Sequence, residues 1–261
     1  MSDAANPGGG AADNILGKKI FFLYPSAMIM NTLMQELIQQ EYEVYAVKNH
    51  ESMLRGLKKY PRSVVFVNIN DGLDEVGWES WIRSVMETPE TSETSIGILS
   101  SVNDEALRSK YVTEIGISCG FTALKSDITV AVRQILECLR IVDAKGRRKY
   151  LRAGREIGAS INLPLEDGFV NGHIRDISAV GFSCVLEKNP ELTRNVLLQN
   201  IQLKIQGGIL KVEGIVYGSR EDEGDRCYVF LFTQRVDPDT RTRIRNGIQM
   251  QLQAQMDEEL K

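Results

Sequence analysis

Two clusters of residues carry chemistry that packing alone does not require. The first is a basic run, Lys145-Gly-Arg147-Arg148-Lys-Tyr-Leu-Arg152-Ala-Gly-Arg155. Guanidinium groups are planar cationic forks that match phosphate oxygens and stack on flat rings. The second is Asp176-Ile-Ser178-Ala-Val-Gly181, set between two runs of strand character. Its carboxylate can accept from a nucleobase edge and its hydroxyl can add a further contact. Asp176 and Ser178 stand two apart, which puts them on one face of an extended segment. Gly181 permits a positive φ or a close backbone approach. Each cluster taken alone has a plainer reading: a solvated run after a helix end, and an ordinary turn.

Composition frames these clusters. The 261 residues are 43% apolar and 25% charged, the proportions of a soluble globular protein. A net charge of −4 gives no general affinity for polyanions, so the basic run is a local feature. Cys119, Cys138, Cys184 and Cys227 lie far apart, and His50 and His173 are the only histidines. No zinc or other metal site is expected from them, and reduced thiols point to a cytoplasmic protein. Residues 1–16 read as a disordered tail without signal-peptide character. The apolar segment from Ile20 to Met30 is too short to span a bilayer, so no membrane anchor is expected.

The elements change character midway. From Lys18 to Val142, strand-like runs alternate with helical ones: strands at 18–24, 43–47, 64–69, 95–100 and 120–124, helices at 27–40, 51–59, 78–86, 104–115 and 126–142. That order predicts an α/β doubly wound parallel sheet. From Ile157 the apolar period becomes two, with about six short strands and glycine-bearing turns, which predicts a six-stranded antiparallel β-barrel. A C-terminal helix follows, capped by Asp237 with Pro238 first. Its stripe of Ile244, Ile248, Leu252, Met256 and Leu260 is expected to pack on the barrel, with its far end available to a partner.

The first half resembles the flavodoxin-like receiver domain of two-component signalling. The resemblance implies an acidic pair after the first strand and a phosphate-accepting aspartate ending the third. Tyr24-Pro25-Ser26 and Asn68 stand at those positions instead. Ser100 and Lys125 match the family's hydroxyl and lysine, and Asp71 reads as a turn residue. The expectation is a degenerate receiver that docks or senses rather than reacts.

The second half resembles the PilZ family. Arg148-Lys-Tyr-Leu-Arg152 fits its R-x-x-x-R motif, and Asp176-Ile-Ser178-Ala-Val-Gly181 its [D/N]-x-S-x-x-G motif. The arrangement is also similar to two-domain PilZ proteins of spirochaetes. The resemblance implies a non-enzymatic receptor for cyclic di-GMP, contacted by Arg147, Arg148, Arg152, Asp176, Ser178 and Gly181. The implied organisation is a tail over 1–16, a receiver-like domain over 17–142, a ligand-binding linker over 143–155, and the barrel with its helix over 156–261. Ligand held between the arginine loop and the barrel segment would change interdomain geometry and contact with a protein effector, in a process such as motility or virulence. Other readings stand beside it: a PilZ scaffold acting without cyclic di-GMP, an active phosphoacceptor, and a nucleic-acid-binding barrel. For the last, Tyr150 alone offers stacking, so nucleic acid is not an expected partner.

Overall fold

The computed structural model describes residues 17–124, 127–154, 158–166 and 168–261. The expected tail over 1–16, Lys125, Ser126, Arg155 and Ile157 lie outside the described residues. The chain divides into two compact units, one of residues up to 149 together with 255–261, the other of residues 150–254.

In the first unit, β1 (Ile20–Leu23), β2 (Val44–Val47), β3 (Val64–Asn68), β4 (Ser95–Ser100) and β5 (Phe121–Ala123) form one sheet in the order β2-β1-β3-β4-β5. Every pairing is parallel. This is the flavodoxin-like order, with its reversal between β1 and β3. Strands β1, β3, β4 and β5 are buried at every residue, hence their apolar runs in place of alternation. The intervening helices are α1 (Ile29–Met34 and Gln35–Gln39), α2 (His50–Lys59), α3 (Glu75–Glu87), α4 (Glu105–Ser109 and Lys110–Ile115) and α5 (Ile128–Ile141). Asn49, Asp74, Asp104 and Asp127 accept from first-turn amides of α2, α3, α4 and α5. Those amides lack intrahelical acceptors, so the caps fix where the helices start.

One expectation needs correction here. Cys119, just before β5, and Cys138 on α5 form a disulfide with Cα atoms 5.4 Å apart. They are 19 residues apart in sequence, but a crossover helix packs back against the sheet it leaves, which brings them together. Cys184 and Cys227 are free and buried.

The last turn of helix α6 (Pro238–Glu259) also belongs to the first unit. Met256 and Leu260 are only 2% and 6% exposed. Arg55 donates to the Leu260 carbonyl at 2.8 Å, and Lys59 pairs with Glu259 at 2.9 Å. Tyr60 donates its hydroxyl proton to the same Glu259 carboxylate. The far end of the apolar stripe, expected to be available to a partner, is thus occupied within this unit.

The second unit contains β6 (Arg152–Ala153), β7 (Ser160–Leu165), β8 (Gly168–Ser178), β9 (Gly181–Leu186), β10 (Leu197–Ile205), β11 (Gly208–Asp222) and β12 (Asp225–Phe232). The sheet runs β6-β8-β7-β10-β11-β12-β9, and a β8–β9 pairing closes its six longer strands into an antiparallel barrel. Inward residues such as Ile161, Ile177, Leu203 and Val216 fill the interior at every second position. Phe182 and Phe230 are paired across β9 and β12 and stack with centroids 4.8 Å apart. Ile244 and Ile248 of α6 join this core. Asp237 caps the helix by accepting from the Thr240 amide at 2.9 Å and the Thr240 hydroxyl at 2.6 Å; these bonds hold its carboxyl below the usual range.

The close approach anticipated at Gly181 is present: a Cβ there would lie 2.2 Å from the Phe230 carbonyl oxygen. Backbone on a paired strand cannot step aside as a side chain can. Gly181→Ala is expected to lower barrel stability by about 1–3 kcal/mol, while Gly218→Ala, with nothing within 4 Å, should stay within about 0.5 kcal/mol. Amide hydrogen exchange over the barrel strands distinguishes the two. In the first unit, Leu260→Ala is expected to cost about 2–5 kcal/mol. Both tryptophans of the chain, Trp78 and Trp81, lie on α3, so the denaturation midpoint by tryptophan fluorescence reports that loss.

Candidate functional site

The two sequence clusters meet through a strand too short to predict. Strand β6 pairs Arg152 with Ser178 and Ala153 with Ile177, so the end of the arginine run lies on the edge of β8. Arg152 Nη1 stands 3.4 Å from Asp176 Oδ1. The side chains are 52% and 26% exposed, so the pair adds little to stability and its members are available to another partner.

Asp176 owes its aim to two backbone features. The β8–β9 register shifts between Ile174 and Asp176, a bulge of the kind that redirects side chains. The hairpin between β8 and β9 then turns over Ala179 and Val180 alone, which puts Asp176 opposite Ser183. The Ser183 hydroxyl donates to Asp176 Oδ2. Arg220 reaches the same oxygen, its Nη2 3.9 Å away. One carboxylate therefore has an arginine on each oxygen and a serine that fixes its rotation.

Ser178 ends β8 rather than lying in a turn between strands, and it is 4% exposed. Its hydroxyl donates to the Gly181 carbonyl at 3.1 Å and accepts from the Val180 amide at 3.4 Å. Neither Ala179 nor Val180 has a positive φ, although two-residue hairpins usually need one. The serine bonds help to hold this turn. Arg241 of α6 adds to them, donating to the carbonyls of Ala179 at 2.9 Å and Thr233 at 2.7 Å.

The structure thus brings Arg152, Asp176, Ser178 and Gly181 together. Lys145 lies over the Tyr42 ring in the first unit, 4.9 Å from its centroid. Arg147 and Arg148 follow it and are exposed. Ser183, Arg220 and Arg241 were not singled out in the sequence. A two-residue turn at Ala179-Val180 would have exposed Ser183 by register. Arg220 lies where β11 continues as far as Asp222, beyond the short strands the sequence suggests. Arg241 is one basic residue in a basic helical turn, with no local signal.

In the first unit, the crevice at the carboxyl ends of β1 and β3 is filled. Asn68 is buried and donates its amide to the Tyr24 carbonyl at 2.8 Å. The Tyr24 hydroxyl bonds His50 Nδ1 at 3.1 Å, and its ring meets Trp78 edge-on at 5.8 Å. Asp71 accepts from the Gly72 amide at 2.9 Å, as a turn residue does. Among the described residues, no group of three or more His, Cys, Asp or Glu side chains is placed to hold a metal ion.

No curated protein matches this chain. Among solved structures, the complex of YcgR with c-di-GMP from Escherichia coli is 19% identical over 44% of this chain and 49% of its own, with a TM-score of 0.38. The chain thus spans about half the length of that relative. The MrkH–c-di-GMP complex of K. pneumonia is 21% identical over 44% of this chain and 57% of its own, at 0.37. The chemotaxis response regulator CheY4 of Vibrio cholerae is 16% identical over 48% of this chain and 98% of its own, at 0.40. Residues 146–249 match the model of the PilZ domain, so the likeness to that family lies in the barrel half of this chain.

Proposed function

We propose that the PilZ domain of this chain is a receptor for cyclic di-GMP. The observation that carries the reading is the meeting of Arg152 and Asp176 on adjacent strands, 3.4 Å apart and partly exposed. A guanine edge presents N–H donors that suit the Asp176 carboxylate, and two phosphates suit guanidinium forks. Arg147, Arg148 and Arg152 take the phosphates and ring faces. Ser178 and Gly181 act through the turn that sets Asp176 in place. The output is binding and not turnover.

The signal passes through residues 143–155, taken as a linker that orders on the ligand, to the receiver-like domain over 17–142, which serves as a docking module for a protein effector. Asn68 in place of an aspartate supports docking over phosphoryl transfer, since an amide is a poor nucleophile. Among the described residues no helix is long and apolar enough to cross a membrane. A cytoplasmic setting goes with this ligand, and the Cys119–Cys138 bond would there meet a reducing thiol pool.

Calorimetric titration of the full chain with cyclic di-GMP is expected to saturate and to give the stoichiometry directly. Arg148→Ala and Arg152→Ala each remove a charge-assisted bond of about 1.5–3 kcal/mol, weakening binding by roughly tenfold to a hundredfold or more. Wild-type protein that gives no saturable heat overturns the receptor reading. Incubation with acetyl phosphate and Mg²⁺ is expected to leave the intact mass unchanged; a phosphoryl adduct would revive the phosphoacceptor reading.

A further inference from the structure

We infer that Arg220 is a further cationic contact for the ligand, completing with Arg152 a bracket around Asp176. The inference rests on the cyclic dinucleotide reading and adds a residue outside both motifs. Strand β11 has a register shift between Val216 and Gly218 and then stays paired with β12 as far as Asp222. That extension carries Arg220 toward the Asp176 edge of the barrel. Its partner on β12 is the fully buried Cys227, which in turn pairs with Val185 on β9. Arg220 therefore lies two strands from the β9 residue Ser183, yet its guanidinium reaches Asp176 Oδ2 at 3.9 Å.

Nearby arginines are more closely engaged. Arg175 is 22% exposed and pairs with Asp222 at 4.0 Å and Asp225 at 3.1 Å. Arg226 donates to the Ser219 hydroxyl at 3.3 Å and lies over the Tyr228 ring. Arg220 is 60% exposed, and its ion pair is longer than a hydrogen bond. The other oxygen of the same carboxylate faces Arg152. A ligand edge bound to Asp176 thus meets a guanidinium on either side. A cyclic dinucleotide carries phosphates on both sides of its ring, so a cation on each side suits it better than one arginine run alone.

Titration of the full chain with cyclic di-GMP at two salt concentrations tests this. Arg220→Ala is expected to weaken binding about tenfold and to flatten its fall with salt, because one screened attraction is gone. Arg220→Lys should restore the salt dependence and only part of the affinity, since a point charge replaces a fork. Arg226→Ala, one strand away, should bind within about twofold of wild type. If Arg220→Ala proves poorly folded, Arg220→Gln keeps the length of the side chain and removes the charge. Unchanged affinity and salt dependence in the well-folded neutral variant, with wild-type binding intact, overturns the role of Arg220 alone. Wild-type protein that binds nothing overturns this inference together with the receptor reading.

Discussion

The pairing of Arg152 with Ser178 and of Ala153 with Ile177 is the contact on which the proposed site depends. It is small, and an isolated two-residue strand has little stability of its own. Here it adds to a closed barrel whose adjacent strand is already in place. The pairing turns a chain segment that could sample many positions into one with defined register, so Arg152 meets Asp176 and not solvent alone. Register then passes outward through the hairpin: Ser178 opposite Gly181, Ile177 opposite Phe182, Asp176 opposite Ser183. A slip of one residue would reverse the faces and bury Asp176. The stacked Phe182 and Phe230 resist that slip, since both would leave the core.

Much of the architecture was legible because each half has its own periodicity. Apolar runs between amphipathic helices announced a parallel sheet, and the change to alternation after Ile157 announced a barrel. The two motifs hold residues that β6 and β8 bring side by side. What escaped detection had no periodic signature. Strand β6 is two residues long. The bulge around Arg175 adds no glycine, and the hairpin turn over Ala179 and Val180 contains none of the usual turn residues. The Cys119–Cys138 bond depends on which face α5 turns to β5, which spacing alone does not encode. The stripe on α6 was expected to pack on the barrel with its far end available to a partner, whereas the helix's last turn belongs to the first unit.

Asn68 helps fill the first unit's crevice. Asn68 donates to the Tyr24 carbonyl, and an ionised carboxylate has no proton to donate. An aspartate there would face that carbonyl with like partial charge. Tyr24 has a φ of 53°, and its ring lies where a side chain on Gly72 would begin, with Cε2 2.6 Å from such a Cβ. Aromatic packing thus occupies the crevice that this strand order leaves at its switch point.

The barrel separates its strong interactions from its exchangeable ones. Inward, burial of residues such as Ile177, Phe182 and Phe230 fixes the shape, each contributing about 1.5–3 kcal/mol. Outward, Asp176 is held by one hydroxyl and two partly exposed ion pairs, each worth at most about 1 kcal/mol. A ligand that offers better partners can therefore take over the arginines while the strands stay as they are. The Ser183 hydroxyl holds one oxygen of the carboxylate, and Arg241 ties the turn to α6. This division lets an outward cluster change partners without repacking the core beneath it.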